Sequence, residues 1–457
     1  MLFAAALIAA LPDLVPARWS SADPATIGIV KQTPVNCLLI EEAQWSGSFN
    51  AEAARQGIAT FAVLRPKSDA PTATRRALDL RFAGAVIEGA FNPDQRAALK
   101  QVFAASKLPV IDLTSRGEMA LDGSAEVIGT YQGLWPGVQI DDGGTTKAAP
   151  SGAPWIDTNA GFLRFVRAAT TSTIWMANSP PRDKTYPTER YIQAIGDAAL
   201  AGARWVVDID ASFRSKLLAG DAAALSGWKR IGGVLEFFES HKEWRTAEPF
   251  AHLALVEDVN SGALLSGGVL DMIAVKHTPV RPIPNKRLDP NALRAARMAV
   301  NVDPASLNEQ QKETLKAFTR AGGTLLTGPP GWKFPQPRPD QITLEKDDLK
   351  TLDDIWRELN SMTGRKNLGA RLFNVSSMLS NLIEIPNAKT VVLQLVNYSD
   401  FAVENITVHV LGKYKNAAVL RPGSPPGKVE TYPVEDGTGF DIDRIAGVAA
   451  LVLTRAE

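Results

Sequence analysis

Residues 60–89 read TFAVLRPKSDAPTATRRALDLRFAGAVIEG, and the fold turns on how this stretch is parsed. The apolar run TFAVLRP from Thr60 is followed by an Ala- and Arg-rich segment of helical period, then by a second apolar run, GAVIEG, from Gly84. That is one β-α-β unit. The same alternation extends from about Val35 to Asp210, with further runs VNCLLIE from Val35, PVIDLT from Pro109, VIGTYQG from Val127, PWIDT from Pro154, TIWMAN from Thr173 and ARWVVDID from Ala203. Between them lie helical segments such as FNAEAARQG, ending at Gly57, and TERYIQAIGDAALAG, ending at Gly202, each closed by the glycine that helix C-termini prefer. Eight such units predict an α/β fold of (β/α)8 TIM-barrel type over residues 30–245.

Downstream, an amphipathic stretch through Trp228, Leu235, Phe238 and Trp244 suits a helix packed on the barrel and marks a junction. A second α/β series follows, through FAHLALVED from Phe250, ARMAVNVDP from Ala296, the helix LNEQQKETLKAFTRAGG and the strand TLLTGPP from Thr324. In that helix Leu315 and Phe318 face inward, and Gly322 and Gly323 end it. These elements predict an α/β domain at 246–365. Alternating runs VVLQLVNYS, ITVHVLG and GVAALVLT then predict a small all-β sandwich at 370–457.

Composition narrows the function. Lys+Arg and Asp+Glu both total 49, so no overall field exists to draw in nucleic acid or an anionic membrane. The opening MLFAAALIAALPDLVPA is too short to span a bilayer but long enough for a signal-peptide core, with a small residue at Ala17 for cleavage. Residues 1–20 are therefore expected to direct export to the periplasm or the exterior; the alternative, since no Lys or Arg precedes the run, is a buried N-terminal helix or a misplaced start codon. The single cysteine, Cys37, excludes an internal disulfide and a Cys-based zinc cluster. GALLSGGVLD lacks the spacing of a phosphate-binding glycine loop, and four scattered histidines contain no HExxH pair. Asp141 and Asp142, next to Gly143 and Gly144, read as a solvated turn. No cofactor and no metal are expected.

The segment NVDPASLNEQQKETLKAFTRAGGTLLTGPPGW resembles the flavodoxin/amidotransferase-like domain that follows the barrel in bacterial β-galactosidases and related glycoside hydrolases. LVNYSDFAVENITVHV is similar to the sandwich that ends those proteins, and the domain order agrees. The resemblance implies a glycoside hydrolase acting on a carbohydrate, and self-association of the kind seen in the relatives. True amidotransferases need a nucleophilic cysteine with a histidine base. The second domain has no cysteine and only His252 and His277 between Phe250 and Gly331, so it is expected to be non-catalytic.

Barrel enzymes carry their chemistry at the C-terminal ends of the strands. That rule selects Glu41, Glu42, Glu88, Asp112, Asp157, Asp208 and Asp210. Glycoside hydrolysis commonly needs two carboxyl groups, one to protonate the leaving oxygen and one to act as nucleophile or base. The resembled β-galactosidases use glutamates at the ends of the fourth and seventh strands, where this reading finds PVIDLTSR and TIWMANSPP. The pair expected here is Glu88 with Asp157, Asp208 standing in reserve. Asp112 and Tyr131 offer hydrogen bonds to substrate, and Trp135, Trp155 and Trp175 sit near strand ends where indole faces can stack on a sugar. The alternative is a catalytically silent glycan-binding or scaffold protein, its acids capping helices or paired with arginines.

Overall fold

The computed structural model describes residues 10–456 except 67–68, 139–155, 260–277, 329–341, 343–356, 360, 363–368, 374, 376 and 386–388. Eight parallel strands run in the order β1 (Pro16–Trp19), β2 (Cys37–Ile40), β3 (Ala59–Leu64), β4 (Gly84–Glu88), β5 (Val110–Thr114), β6 (Val127–Thr130), β7 (Thr173–Met176) and β8 (Arg204–Trp205). The sheet closes on itself. Just beyond β8, Val207 forms a parallel bridge with Ala17 on β1; Arg18 N donates to Val207 O at 2.8 Å and Val207 N to Pro16 O at 3.0 Å. A closed barrel has no free edge.

Seven of the eight expected strands are found, and two corrections follow. Pro16–Trp19, counted above within the leader, is the first barrel strand, buried and paired along β2 from Pro16↔Cys37 to Trp19↔Ile40. The run at Pro154 is not a barrel strand. Its described part, Ile156–Asp157, pairs antiparallel with Gly137–Val138 in a two-stranded ladder of its own. The causes differ: Pro16–Trp19 follows directly on an apolar run that reads as a leader, and an isolated apolar run such as that at Pro154 does not say which sheet it joins.

Along the barrel strands the interior is set by the period of two. Leu39, Val63, Val86, Ile111, Leu113, Val127, Trp175 and Val206 belong to one buried apolar cluster. Trp175, fully buried, is the largest of them, and glycine makes its room: a Cβ on Gly129 would stand 2.4 Å from Leu113 Cδ2 and 2.8 Å from Trp175 O. Gly84 plays the same part for Phe61, whose ring would meet an added Cβ at 2.4 Å. The helix Gly47–Arg55 is capped by Ser46, which accepts from Phe49 N, and ends before Gly57 at φ +76°. Trp228 lies buried on the long helix Ala222–Glu239 and donates its indole N–H to Ile29 O at 3.0 Å.

The chain divides into two compact units. The barrel unit comprises Met1–Trp135, Ser172–Tyr191 and Ala203–Glu239; the second comprises Pro136–Thr171, Ile192–Gly202 and Ser240–Glu457. Within the second unit a four-stranded parallel sheet runs in the order Val280–Pro284, Leu253–Glu257, Met298–Asn301, Thr324–Thr327. Its helix Glu309–Arg320 starts with a full capping box between Asn308 and Gln311, and ends at Ala321 before Gly322 at φ +94°. Leu315 is buried, with Phe318 packed beside it.

Two antiparallel sheets then enclose a core that includes Leu382, Leu393, Ile406, Val408, Phe440 and Leu451. One sheet has six strands, of which the first, Glu248–Pro249, pairs with Met378–Ile385; the other has four. This is the expected β-sandwich. Two helical pieces from the barrel series, Ala160–Ala169 and the latter part of Thr188–Ala199, cluster with this unit. The buried carboxylate of Asp197 ties them together. It accepts from Thr158 Oγ1, Asn159 N (2.9 Å), Asn159 Nδ2 (2.8 Å) and Tyr398 Oη (2.6 Å).

Candidate active site at the barrel mouth

Two residues beyond the last apolar interior position of several strands, the same parity brings a charged side chain into the barrel mouth. Leu39 is followed by Glu41, Val63 by Arg65, Val86 by Glu88 and Val206 by Asp208; β1 contributes Arg18. Arg18 is the hub. Its Nη2 donates to both carboxylate oxygens of Glu88, at 2.7 and 2.8 Å, and to Ala177 O at 3.3 Å. Its Nη1 reaches Glu41 Oε1 at 3.4 Å, and its Nε lies 3.7 Å from Asp208 Oδ2. Arg65 adds a second cation, 2.8 Å from Glu88 and 2.6 Å from Glu41, and Arg214 a third, 2.9 Å from Asp208.

Burial alone would lower the Arg18 pKa, yet the negative charges of Glu88, Asp208 and Glu41 outweigh it and hold the guanidinium above its ordinary value. Arg65 is likewise raised against the pull of its own burial, by Glu41 and Glu88. A small cavity of about 180 Å³ opens here, lined among others by Arg18, Glu41, Arg65, Ser179, Asp208 and Arg214.

Of the residues expected to do chemistry, Glu88 and Asp208 are brought together around Arg18. Asp157 is not on a barrel strand; it pairs with Gly137 in the short ladder within the second unit, so the reason for selecting it as a strand-end acid falls away. Asp112 alternates with Ile111 and Leu113, which face inward, and so points out to the helix Pro93–Ala105. There it meets Arg96, and Lys100 Nζ at 2.5 Å. Asp210, which shares a run with Asp208, leaves the mouth: it caps the helix Ala211–Leu218 by accepting from Ser212 N and Phe213 N at 2.9 Å, and accepts from Tyr191 Oη.

Tyr131 has interior parity and is half-buried; burial, then Glu118 and Glu88, hold its phenol above the usual value. Trp175 is part of the packed barrel core and is not a stacking surface, because its ring is fully buried. Trp155 lies outside the described residues. Trp135 is half-buried and packs on Tyr186, Tyr191 and Trp205 at centroid distances of 5.0 to 5.8 Å. Its loop is fastened by Asn178, whose Nδ2 donates to Leu134 O at 2.9 Å while its own carbonyl accepts from Trp205 Nε1 at 3.0 Å.

Sequence reasoning missed Arg18 and Arg65. A search for carboxylates passes over arginines, and Arg18 stood inside the presumed leader. The available signal was the alternation itself, since Arg65 stands two residues past Val63 in TFAVLRP. The strand count also moves. With β1 at Pro16–Trp19, GAVIEG is the fourth strand and not the third, so the fourth strand ends in a glutamate. The seventh remains TIWMAN, without an acid. Among the described residues no group of His, Cys, Asp and Glu could hold a metal ion.

A (β/α)8 barrel followed by a parallel α/β sheet and a β-sandwich is the architecture of a class of glycoside hydrolases. Solved structures show the likeness over 96–97% of this chain. The alpha-L-fucosidase isoenzyme 2 from Paenibacillus thiaminolyticus matches with a TM-score of 0.62 at 10% identity, covering 97% of this chain and 100% of that one. A GH42 beta-galactosidase from G. stearothermophilus matches at 0.54 and 10% identity, covering 97% and 98%. The beta-galactosidase from Rahnella sp. R3 matches at 0.54 and 10%, covering 96% and 98%. No family model and no curated protein sequence matches the chain. At this identity the likeness is one of fold.

Proposed function

We propose that the protein is an exported glycoside hydrolase whose carboxylate pair is Glu88 and Asp208. The observation that carries this reading is the convergence of these two acids, from the ends of β4 and from beyond β8, on the one buried guanidinium of Arg18 in the barrel mouth. Glu88 also stands at the end of the fourth strand, where the resembled β-galactosidases carry a catalytic glutamate. One carboxyl group would protonate the leaving oxygen and the other serve as nucleophile or base, with Trp135 and Tyr131 as the wall and hydrogen-bonding edge of a sugar subsite. The α/β sheet supports a packing role for the second domain, because the chain's one cysteine, Cys37, is buried in the barrel.

A second reading is favoured by the same contacts. Both acids are paired with arginines, as a catalytically silent glycan-binding protein would keep them. A panel of glycosides, begun with α-L-fucosides and β-galactosides because of the neighbours' names, separates the two, with product followed by mass. Hydrolysis is expected, and Glu88→Gln and Asp208→Asn should each lower turnover by about 10²- to 10⁴-fold while the far-ultraviolet dichroism is kept. Undiminished turnover in both variants rejects the pair. Silence across the panel, with sugar bound on a glycan array, selects the second reading.

A further inference from the structure

The second unit contains a cavity of about 540 Å³ whose lining is rich in arginine. Arg164 and Arg167 come from one face of the helix Ala160–Ala169, three residues apart; Arg245 follows the barrel helices; Arg281 and Arg287 come from the edge strand of the parallel sheet and the turn after it. Against these five cations the described part of the lining sets two carboxylates, Glu248 and Asp289.

Three of the guanidiniums donate to backbone carbonyls, which carry no formal charge. Arg164 Nη2 donates to Ser380 O at 2.8 Å, Arg167 Nη2 to Gly202 O at 3.2 Å and Arg281 Nη2 to Pro249 O at 3.1 Å. Arg281 also reaches Glu248 at 3.3 Å, but that carboxylate is 66% exposed and so screened by solvent. Arg167 Nε and Arg281 Nε are buried donors with no hydrogen-bond partner, and leaving such a donor unmet costs about 1–3 kcal/mol. Burial, and then the neighbouring Arg245, lower Arg167 to about 10, which marks a place where positive charge is crowded and poorly solvated.

We infer that this cavity is a binding site for a phosphate or sulfate group, free or carried on a sugar. Such a group brings negative charge to a lining in which arginines outnumber carboxylates, and several acceptor oxygens that guanidinium forks can share. The site is independent of the barrel mouth. Arginines outnumber carboxylates in the described lining, and the role assigned to the site is binding.

Isothermal titration of the full chain with inorganic phosphate, sulfate and a hexose phosphate, in low-salt buffer, tests the site. Phosphate and sulfate should bind, and more weakly as salt is added. Arg167→Gln and Arg281→Gln should each weaken binding by about tenfold or more. Arg287→Gln, at an exposed rim residue that carries no part of the fold, should weaken it less and keeps the test open if a buried variant fails to fold. The hexose phosphate binding more tightly than phosphate identifies a sugar as the carrier; the reverse identifies the free ion. Absence of binding at millimolar concentrations, an equal effect of chloride at matched ionic strength, or undiminished affinity in all three variants overturns the proposal.

Discussion

Arg18 shows how much one residue can decide. Its side chain is 10% exposed and Glu88's 4%, so the contact is an interior ion pair whose two charges would each be costly alone. Removing one partner of an isolated buried pair costs about 3–5 kcal/mol; here Arg65 still faces Glu88 once Arg18 is gone, which moderates the loss. Arg18→Met is therefore expected to lower the unfolding free energy by about 2–3 kcal/mol in urea denaturation, below the cost of a fully uncompensated charge. Arg55→Met, which loses only the surface contact to Glu52, should change it far less, because solvent screens that pair. Equal effects would mean that Arg18 does not hold the mouth together. Asp112 teaches the converse. It lies on no less suitable a strand than Glu88, yet one step of alternation turns it outward to Arg96 and Lys100.

At the scale of elements, the joint around Asp197 is the most exacting. Four donors converge on its carboxylate from the start of the helix Ala160–Ala169 and from Tyr398. Burial nonetheless dominates and raises its pKa above the ordinary carboxylate value, the hydrogen bonds from Thr158, Tyr398 and Asn159 opposing it. A raised value means that the folded chain holds this proton more tightly than the unfolded one. The stabilisation is complete below the ordinary Asp pKa of about 3.9 and is lost as pH rises through the folded value. Asp197→Asn cannot titrate. The stability of the parent relative to this variant should fall as pH rises from about 4 toward neutrality, measured by thermal unfolding at a series of pH values; a constant or rising difference would contradict the raised value. The barrel strands are exacting in another way, since Gly84 and Gly129 are needed where Phe61 and Trp175 fill the interior.

At the scale of the molecule, closure through Ala17 and Val207 bears on export. Leu14 is fully buried and belongs to the barrel's interior cluster, so a leader removed at Ala17 would take a core residue and half of β1 with it. If the protein is exported, its mature N-terminus should lie at or before Leu11, as mass spectrometry of the secreted chain would show. A chain begun at Ser20 should lose cooperative unfolding, because β2 and Val207 would each lose their partner strand. A mature end at Arg18 on a folded, secreted protein would overturn this reading.

The sequence by itself determined the class of fold. Alternation of apolar runs with helical segments is a local property, and glycines at 57, 202 and 322 mark helix ends through a backbone preference that needs no tertiary partner. It also placed Glu88 and Asp208 among seven candidate acids, because acids near the ends of apolar runs are visible in a linear text, but it paired Glu88 with Asp157. Only the tertiary structure decided where the barrel begins, for Pro16–Trp19 is a strand by virtue of its partners on both sides. It decided too which acids face the mouth: register depends on pairing across strands, and a shift of one residue exchanges inside for outside. The arginines that hold Glu88 and Asp208, and those that gather in the second unit, come from segments far apart in the chain, and long-range closure is the information that a linear pattern does not carry.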